Sequence, residues 1–188
     1  MSLTNSHKGQ SLMEMIAAIA ILLIVVTAIL ALTISNIVGQ KESEFQVLAN
    51  NLAREGIEAV RDIRDSNWLG GQAWDTGLQS GEAIVDFIKA ENHWQLDSTS
   101  CSGNDLLYFD PASGFYSHDS DGQNSSFSRC LDLSSICLDS DGNEYIVADN
   151  ACNSDDQKIG LKVEAKVTWL ERGKHREVQL DDLIYDWR

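Results

Sequence analysis

Eighteen consecutive uncharged residues, Met15 to Leu32, leave the N-terminal part of this chain few structures to choose from. Only Thr27 in that run is polar, and a helix of this length crosses most of the hydrocarbon core of a bilayer. Glu14 stands at its head, five positions after a glycine, in Lys8-Gly9-Gln10-Ser11-Leu12-Met13-Glu14. An ionised carboxylate costs about 2–3 kcal/mol deep in lipid and less near the headgroups, so Glu14 asks for a cationic partner. A secretory signal has an apolar stretch of only about 7–15 residues. Here the run is longer and continues through Thr33, Ile34, Ser35, Asn36, Ile37 and Val38 without a clear stop. A plain membrane anchor accounts for the run but predicts no particular residue at Glu14.

Gly9, Leu12 and Glu14 ahead of the apolar run resemble the class III signal of type IV prepilins and pseudopilins. The resemblance implies that a prepilin peptidase cuts between Gly9 and Gln10, that the new amine of Gln10 is methylated, and that Glu14, the fifth mature residue, serves assembly. Two positions depart from the family pattern: Gln10 stands where phenylalanine is usual, and the helix has no proline, the one proline of the chain being Pro111. On this resemblance residues 1–9 are a leader, 10–38 a transmembrane and filament-core helix, and 39–188 an exported pilin-like domain that includes the second half of the helix. The implied partners are the peptidase, other pilin subunits in a homo- or hetero-filament, inner-membrane assembly machinery, and membrane lipid before assembly. The implied location is a single pass through the cytoplasmic membrane, then a cell-surface filament. A secretion pseudopilin fits the same residues, and a membrane-anchored exported binding module that never polymerises is the contrasting reading.

The formal charge is −15, and loss of the leader with Lys8 takes it to −16. Such a domain repels nucleic acid phosphates, so no nucleic acid partner is expected. His7 and Lys8 before the run, against Glu42 and Glu44 after it, favour a cytoplasmic amino terminus, with Lys41 weakening the contrast. Cys101, Cys130, Cys137 and Cys152 all follow the apolar run, and an even number in an exported domain reads as two disulfides. Three pairings are possible; the expected one is local in sequence, Cys101 with Cys130 and Cys137 with Cys152. No C-x-x-C pair occurs, which argues against a zinc ribbon or a thioredoxin-type site.

Phe45, Leu48, Ala49, Leu52, Gly56, Ala59, Val60 and Ile63 recur at three- and four-residue steps, one face of an amphipathic helix. Lys41, Glu44, Arg54, Glu55, Glu58, Arg61, Asp62 and Arg64 fall on the other face. With no proline between Gln10 and Asp65, one helix of about 55 residues, roughly 80 Å, is the economical reading. Gly56, costing about 1 kcal/mol against alanine in a helix, suggests strand backbone packed close by, and Gly70-Gly71 supplies a break. From Trp74 onward the pattern turns to strands: 84–88, 93–96, 106–109, 127–133, and a hairpin of 161–169 with 176–180 around Glu171-Arg172-Gly173-Lys174. The closing residues 183–188 are expected to cap the sheet. The fold class is therefore α+β, a long N-terminal helix on an antiparallel sheet, and segments 114–133 and 162–188 look like the sheet of bacterial pilin domains.

Enzyme motifs are missing: there is no H-E-x-x-H, G-x-S-x-G, P-loop or dinucleotide fingerprint. His7, His93, His118 and His175 are scattered, as surface or turn histidines are. Asp-Ser-Asp-Gly occurs twice, at Asp119–Gly122 and Asp139–Gly142, and is a common turn signal. The second copy runs on into Asn143 and Glu144, so Asp139, Asp141, Asn143 and Glu144 present alternating oxygen donors of the kind calcium takes, though not in an EF-hand pattern. Turn and calcium site are both open from sequence. Asn124-Ser125-Ser126 is a glycosylation sequon of low specificity.

Overall fold

The computed structural model describes residues 8–103, 105–148 and 152–186. One helix, α1 (Lys8–Leu69), precedes eight strands: β1 (Gly81–Ile88), β2 (His93–Asp97), β3 (Leu106–Phe109), β4 (Tyr116–Ser117), β5 (Gln123–Leu138), β6 (Glu144–Val147), β7 (Gln157–Glu171) and β8 (Lys174–Tyr185). The helix starts two residues earlier and ends four later than the apolar pattern implied. The chain divides into two compact units, residues up to Phe45 and residues from Gln46. All eight strands lie in the second unit, and every strand pair is antiparallel.

β5 is the spine of that sheet. One of its edges pairs along its length with β7, from Phe127 opposite Trp169 to Leu138 opposite Gln157, and β7 pairs in turn with β8. Its other edge is divided among three short strands, β3, β1 and β6. The terminal hairpin turns on Arg172 and Gly173, with φ of 50° and 75°, the left-handed pair of a type I′ turn that matches strand twist. The structure extends the strands beyond the sequence reading and adds β4 and β6. It also corrects the expected cap at 183–188: Leu183, Ile184 and Tyr185 are paired residues of β8, while Trp187 and Arg188 lie outside the described residues.

Alternation on β5 and β7 aims Leu131, Leu133, Leu161, Val163, Ala165 and Val167 at one face, all fully buried. Ala49, Leu52, Ala59 and Val60 of the expected stripe are buried in the same unit, and so are Ala53 and Ile57, which the stripe did not include. At Gly56 helix and sheet approach closely. A Cβ there would stand 2.9 Å from Leu131 Cδ2 and 3.5 Å from Arg129 Cδ, so the glycine admits strand side chains rather than the strand backbone expected from sequence. The helix stops in a Schellman-type cap, with Gln72 N–H donating to Asn67 O, Gly71 N–H to Trp68 O, and Gly71 at φ 69°.

Three polar contacts set the register of α1 on the sheet. Arg129, fully buried in mid-β5, donates to Glu55 Oε1 at 3.0 Å, to Leu52 O at 3.4 Å and to Val85 O of β1 at 2.8 Å. Arg61 pairs with Asp182 of β8. Arg64, assigned by sequence to the polar face, is instead only 7% exposed. It continues the Ala53, Ile57, Val60 stripe, stacks on Trp68 at 4.6 Å, pairs with Asp65 and donates to Tyr185 O.

The opposite face of the sheet carries a like-charge rung. Glu82, Asp132, Glu164 and Asp181 stand directly opposite one another across β1, β5, β7 and β8. Burial first, then the charges of Glu164 and Glu82, push the Asp132 carboxyl above its ordinary value.

Two outcomes follow. Glu55→Ala leaves the Arg129 cation without its counter-ion and should cost about 2–3 kcal/mol, while the pair Glu55→Ala with Arg129→Met should recover part of that loss because no orphan charge remains. Chemical denaturation of the two variants decides this. Asp132→Asn should raise Tm at pH 7 by about 1–2 °C, since the ionised carboxylate is the disfavoured form in the folded state. That gain shrinks as pH falls through the raised value and is gone below the unperturbed 3.8, where the wild-type group is neutral folded or unfolded.

Candidate functional site

The first unit consists, in its described part, of residues 8–45 of α1. Lys8 opens the helix, so Gly9 and Gln10 lie in its first turn and Glu14 one turn further on. From Leu12 to Ile37 every residue is exposed, among them Met15, Ile19, Leu22, Leu23, Ile29 and Leu30. None of the most apolar stretch is buried by the chain itself. Folding of this polypeptide therefore leaves its strongest hydrophobic segment uncovered, far beyond the scattered apolar residues of an ordinary surface. Lipid or other apolar helices have to supply the missing contacts. The two threonine hydroxyls within it are already satisfied: Thr27 Oγ1 donates to Ile24 O and Thr33 Oγ1 to Ile29 O, both at 2.9 Å. Such back-bonds lower the cost of a polar group in an apolar medium. Glu14 is the one carboxylate at the edge of this surface.

In the second unit the cysteines pair as Cys101–Cys130 and Cys137–Cys152, and none is free. The first bridge ties the segment after β2 to the middle of β5. The second closes a loop 15 residues apart across the β5–β6 hairpin, worth about 3 kcal/mol of chain entropy.

Asp139, Asp141, Asn143 and Glu144 occupy that hairpin and are not all brought together. Asp139 Oδ1 accepts the backbone N–H groups of Asp141 at 2.9 Å and Asn143 at 2.8 Å, and its Oδ2 accepts Asn143 Nδ2 at 3.0 Å. These bonds, the Asn143 amide foremost, hold the Asp139 carboxyl below its usual range. Glu144 opens β6 and accepts the Tyr185 hydroxyl at 3.0 Å, away from Asp139's bonds. No group of three or more His, Cys, Asp or Glu side chains able to hold a metal ion occurs among the described residues. The donor set of Asp139 is spent on a turn that closes by itself.

Of the histidines, His93 and His175 are at the surface or half-exposed, and His7 lies outside the described residues. His118 departs from the surface placement expected of it. Its side chain is 4% exposed and bonded on both ring nitrogens. No sequence signal marked it, because its acceptors, Asp86 and the Arg129 carbonyl, lie 32 and 11 residues away.

The family model of the prokaryotic N-terminal methylation motif matches residues 4–30. The chain thus carries the type IV prepilin signal, over the segment in which Gly9, Gln10 and Glu14 stand. No curated protein and no solved structure matches the chain. The motif supports a type IV pilin-like or pseudopilin exported protein and points to a structural subunit rather than an enzyme. It implies processing by a peptidase and assembly with other pilin subunits. With the exposed apolar helix it fits a membrane-anchored protein carrying an exported domain.

The Asp139 turn is testable by itself. Millimolar calcium, with magnesium in parallel, should leave the Tm of the purified chain unchanged, whereas a rise given by calcium alone would reassign the loop as an oxygen cage for that ion.

Proposed function

We propose that this protein is a structural subunit of a type IV pilus or a related filament. Prepilin peptidase cuts after Gly9, the Gln10 amine is methylated, and the subunit then passes from the membrane into a filament held together by its N-terminal helix. The observation that carries this reading is the coincidence of the methylation motif over 4–30 with a helix whose side chains from Leu12 to Ile37 find no cover within the chain. A secreted binding domain needs neither. Before assembly lipid covers the apolar side chains; afterwards the equivalent helices of other subunits do.

Glu14 then has a defined task. In a core of packed apolar helices its carboxylate pairs with the amine of Gln10, on its own or a neighbouring chain, and each charge lowers the burial cost of the other. Removing the carboxylate makes the helix only more apolar, so insertion into the membrane is retained while the pairing is lost. The acidic domain stays outside the core, where its charge favours solubility.

Mass spectrometry of the mature amino terminus from the native host is the direct test, and the expected chain begins at a methylated Gln10. Gly9→Val should leave the full-length precursor in the membrane. Glu14→Ala should insert and be processed, yet enter sheared filaments roughly 30- to 140-fold less, the equivalent of losing an interaction of roughly 2–3 kcal/mol. Wild-type incorporation of Glu14→Ala would refute the assigned role, and an intact Met1 in the native protein would refute the processing.

A further inference from the structure

β8 is an edge strand along its whole length: among the described residues it pairs with β7 and with no other strand. It is also regular. The register runs from Gly160 opposite Tyr185 to Glu171 opposite Lys174 without a bulge, and no proline interrupts it. Asp186 N–H donates to Ile159 O, so Gly160 and Tyr185 form a non-hydrogen-bonded pair and the backbone groups of Tyr185 turn away from β7. Alternation carries this outward set along the strand to Leu183, Asp181, Gln179, Glu177 and His175. Leu183 N–H, turned to Asp182 Oδ1 at 2.9 Å, conforms to it. A long, uncovered edge of this kind is a template for a further strand.

Charge along β8 is divided. Lys174, His175 and Arg176 stand at its beginning and Asp181 and Asp182 towards its end, with Val178 between them. Antiparallel apposition of two copies sets the basic end of each against the acidic end of the other, whereas parallel apposition sets like ends together. Ladder bonds form only where outward groups meet outward groups, so the twofold axis has to fall at a residue. At Gln179 it would put Glu177 opposite Asp181, and at Glu177 that carboxylate opposite itself, both repulsive. At Val178 these conflicts vanish. Lys174 then faces Asp182, His175 faces Asp181, Glu177 faces Gln179, Arg176 faces Leu180, and Val178 faces its own equivalent.

We propose that the β8 edge is a docking surface for a second copy of this chain, the two strands pairing antiparallel about Val178 so that the sheet continues from one molecule into the other. His175 with Asp181 and Glu177 with Gln179 exchange the backbone bonds, as in other strand additions. Val178 and Leu180, half-buried on the side of the sheet that carries α1, complete each other's cover across the axis. Lys174 arrives at Asp182, which Arg61 of its own chain also holds. The same axis runs residues 46–69 of α1 in opposite directions in the two copies, so the contact joins chains that meet from opposite directions. It involves the exported domain alone and does not rest on assembly through the N-terminal helix.

The test uses the full chain in detergent micelles at rising concentration. Val178→Cys should form an intermolecular disulfide on mild oxidation, because Cα atoms of such a pair stand about 4.5 Å apart, within disulfide reach. Gln179→Cys, which faces Glu177, should link at least about tenfold more slowly. His175→Glu should weaken the dimer roughly fivefold or more, read by sedimentation with the detergent mass subtracted, since it sets two like-charge pairs across the axis. Adding Asp181→Lys should restore it. These two residues lie about 20 Å apart on one extended strand and cannot touch within a chain, so the rescue arises only between copies. Association through the apolar helix would give a dimer indifferent to both changes. That result would overturn the proposal, as would equal linking at positions 178 and 179 or the mass of a single chain at every concentration.

Discussion

A guanidinium with no access to water governs how the exported part of this protein is put together. Arg129 sits in the middle of β5 and reaches the helix through Glu55 and Leu52 O, and β1 through Val85 O. Arg129 Nε finds no acceptor, so the desolvated charge depends on the bonds its two terminal nitrogens make, and these favour one position of helix on sheet. Apolar burial between the Ala49 to Val60 stripe and β5 and β7 gives cohesion without choosing a register. Gly56 over Leu131, Arg61 on Asp182 and Arg64 on Tyr185 O repeat the same alignment along the helix. Polar contacts select here what hydrophobic contacts stabilise.

The second organising element is the unequal flanking of β5. A continuous ladder with β7, extended by the tight Arg172-Gly173 hairpin to β8, makes one half of the sheet regular. The other half is assembled from three short strands whose joints need substitutes for missing ladder bonds. Asp105 and His118 fill one joint, and the two disulfides hold the segments after β2 and around β6. Irregularity and covalent ties coincide, as expected where a short strand cannot bury enough surface to hold itself.

Lipid-like surface and acidic domain satisfy opposite requirements in one chain. The helix from Leu12 to Ile37 offers mostly apolar side chains beyond Glu14, with its two threonine hydroxyls turned back on the backbone. The outer face of the sheet does the reverse, setting Glu82, Asp132, Glu164 and Asp181 in a row at some cost to stability and to the benefit of solubility. A membrane-anchored protein with an exported domain needs both surfaces.

The amino-acid sequence by itself determined whatever depends on neighbours in the chain. The uncharged run, Gly9 and Glu14, the 3.6-residue stripe after Phe45, the alternation of β5 and β7, the Gly70-Gly71 stop and the turn at Gly173 are all local patterns, and local patterns report backbone geometry directly. Tertiary structure decided the rest. Arg64 reads as a surface residue until Trp68 and Tyr185 O close over it, Gly56 reads as facing backbone until Leu131 fills the space, and His118 reads as a turn residue until Asp86 and Arg129 come to it from elsewhere. β4 and β6 are two and four residues long, too short to carry a period, and exist because β3 and β5 lie beside them. Asp139, Asn143 and Glu144 lie within six residues of sequence, yet only folding sends Glu144 to Tyr185 and leaves Asp139 to its own turn. The physical reason is the same in each case: a buried polar group takes its character from the partner that desolvates it, and that partner is distant along the chain.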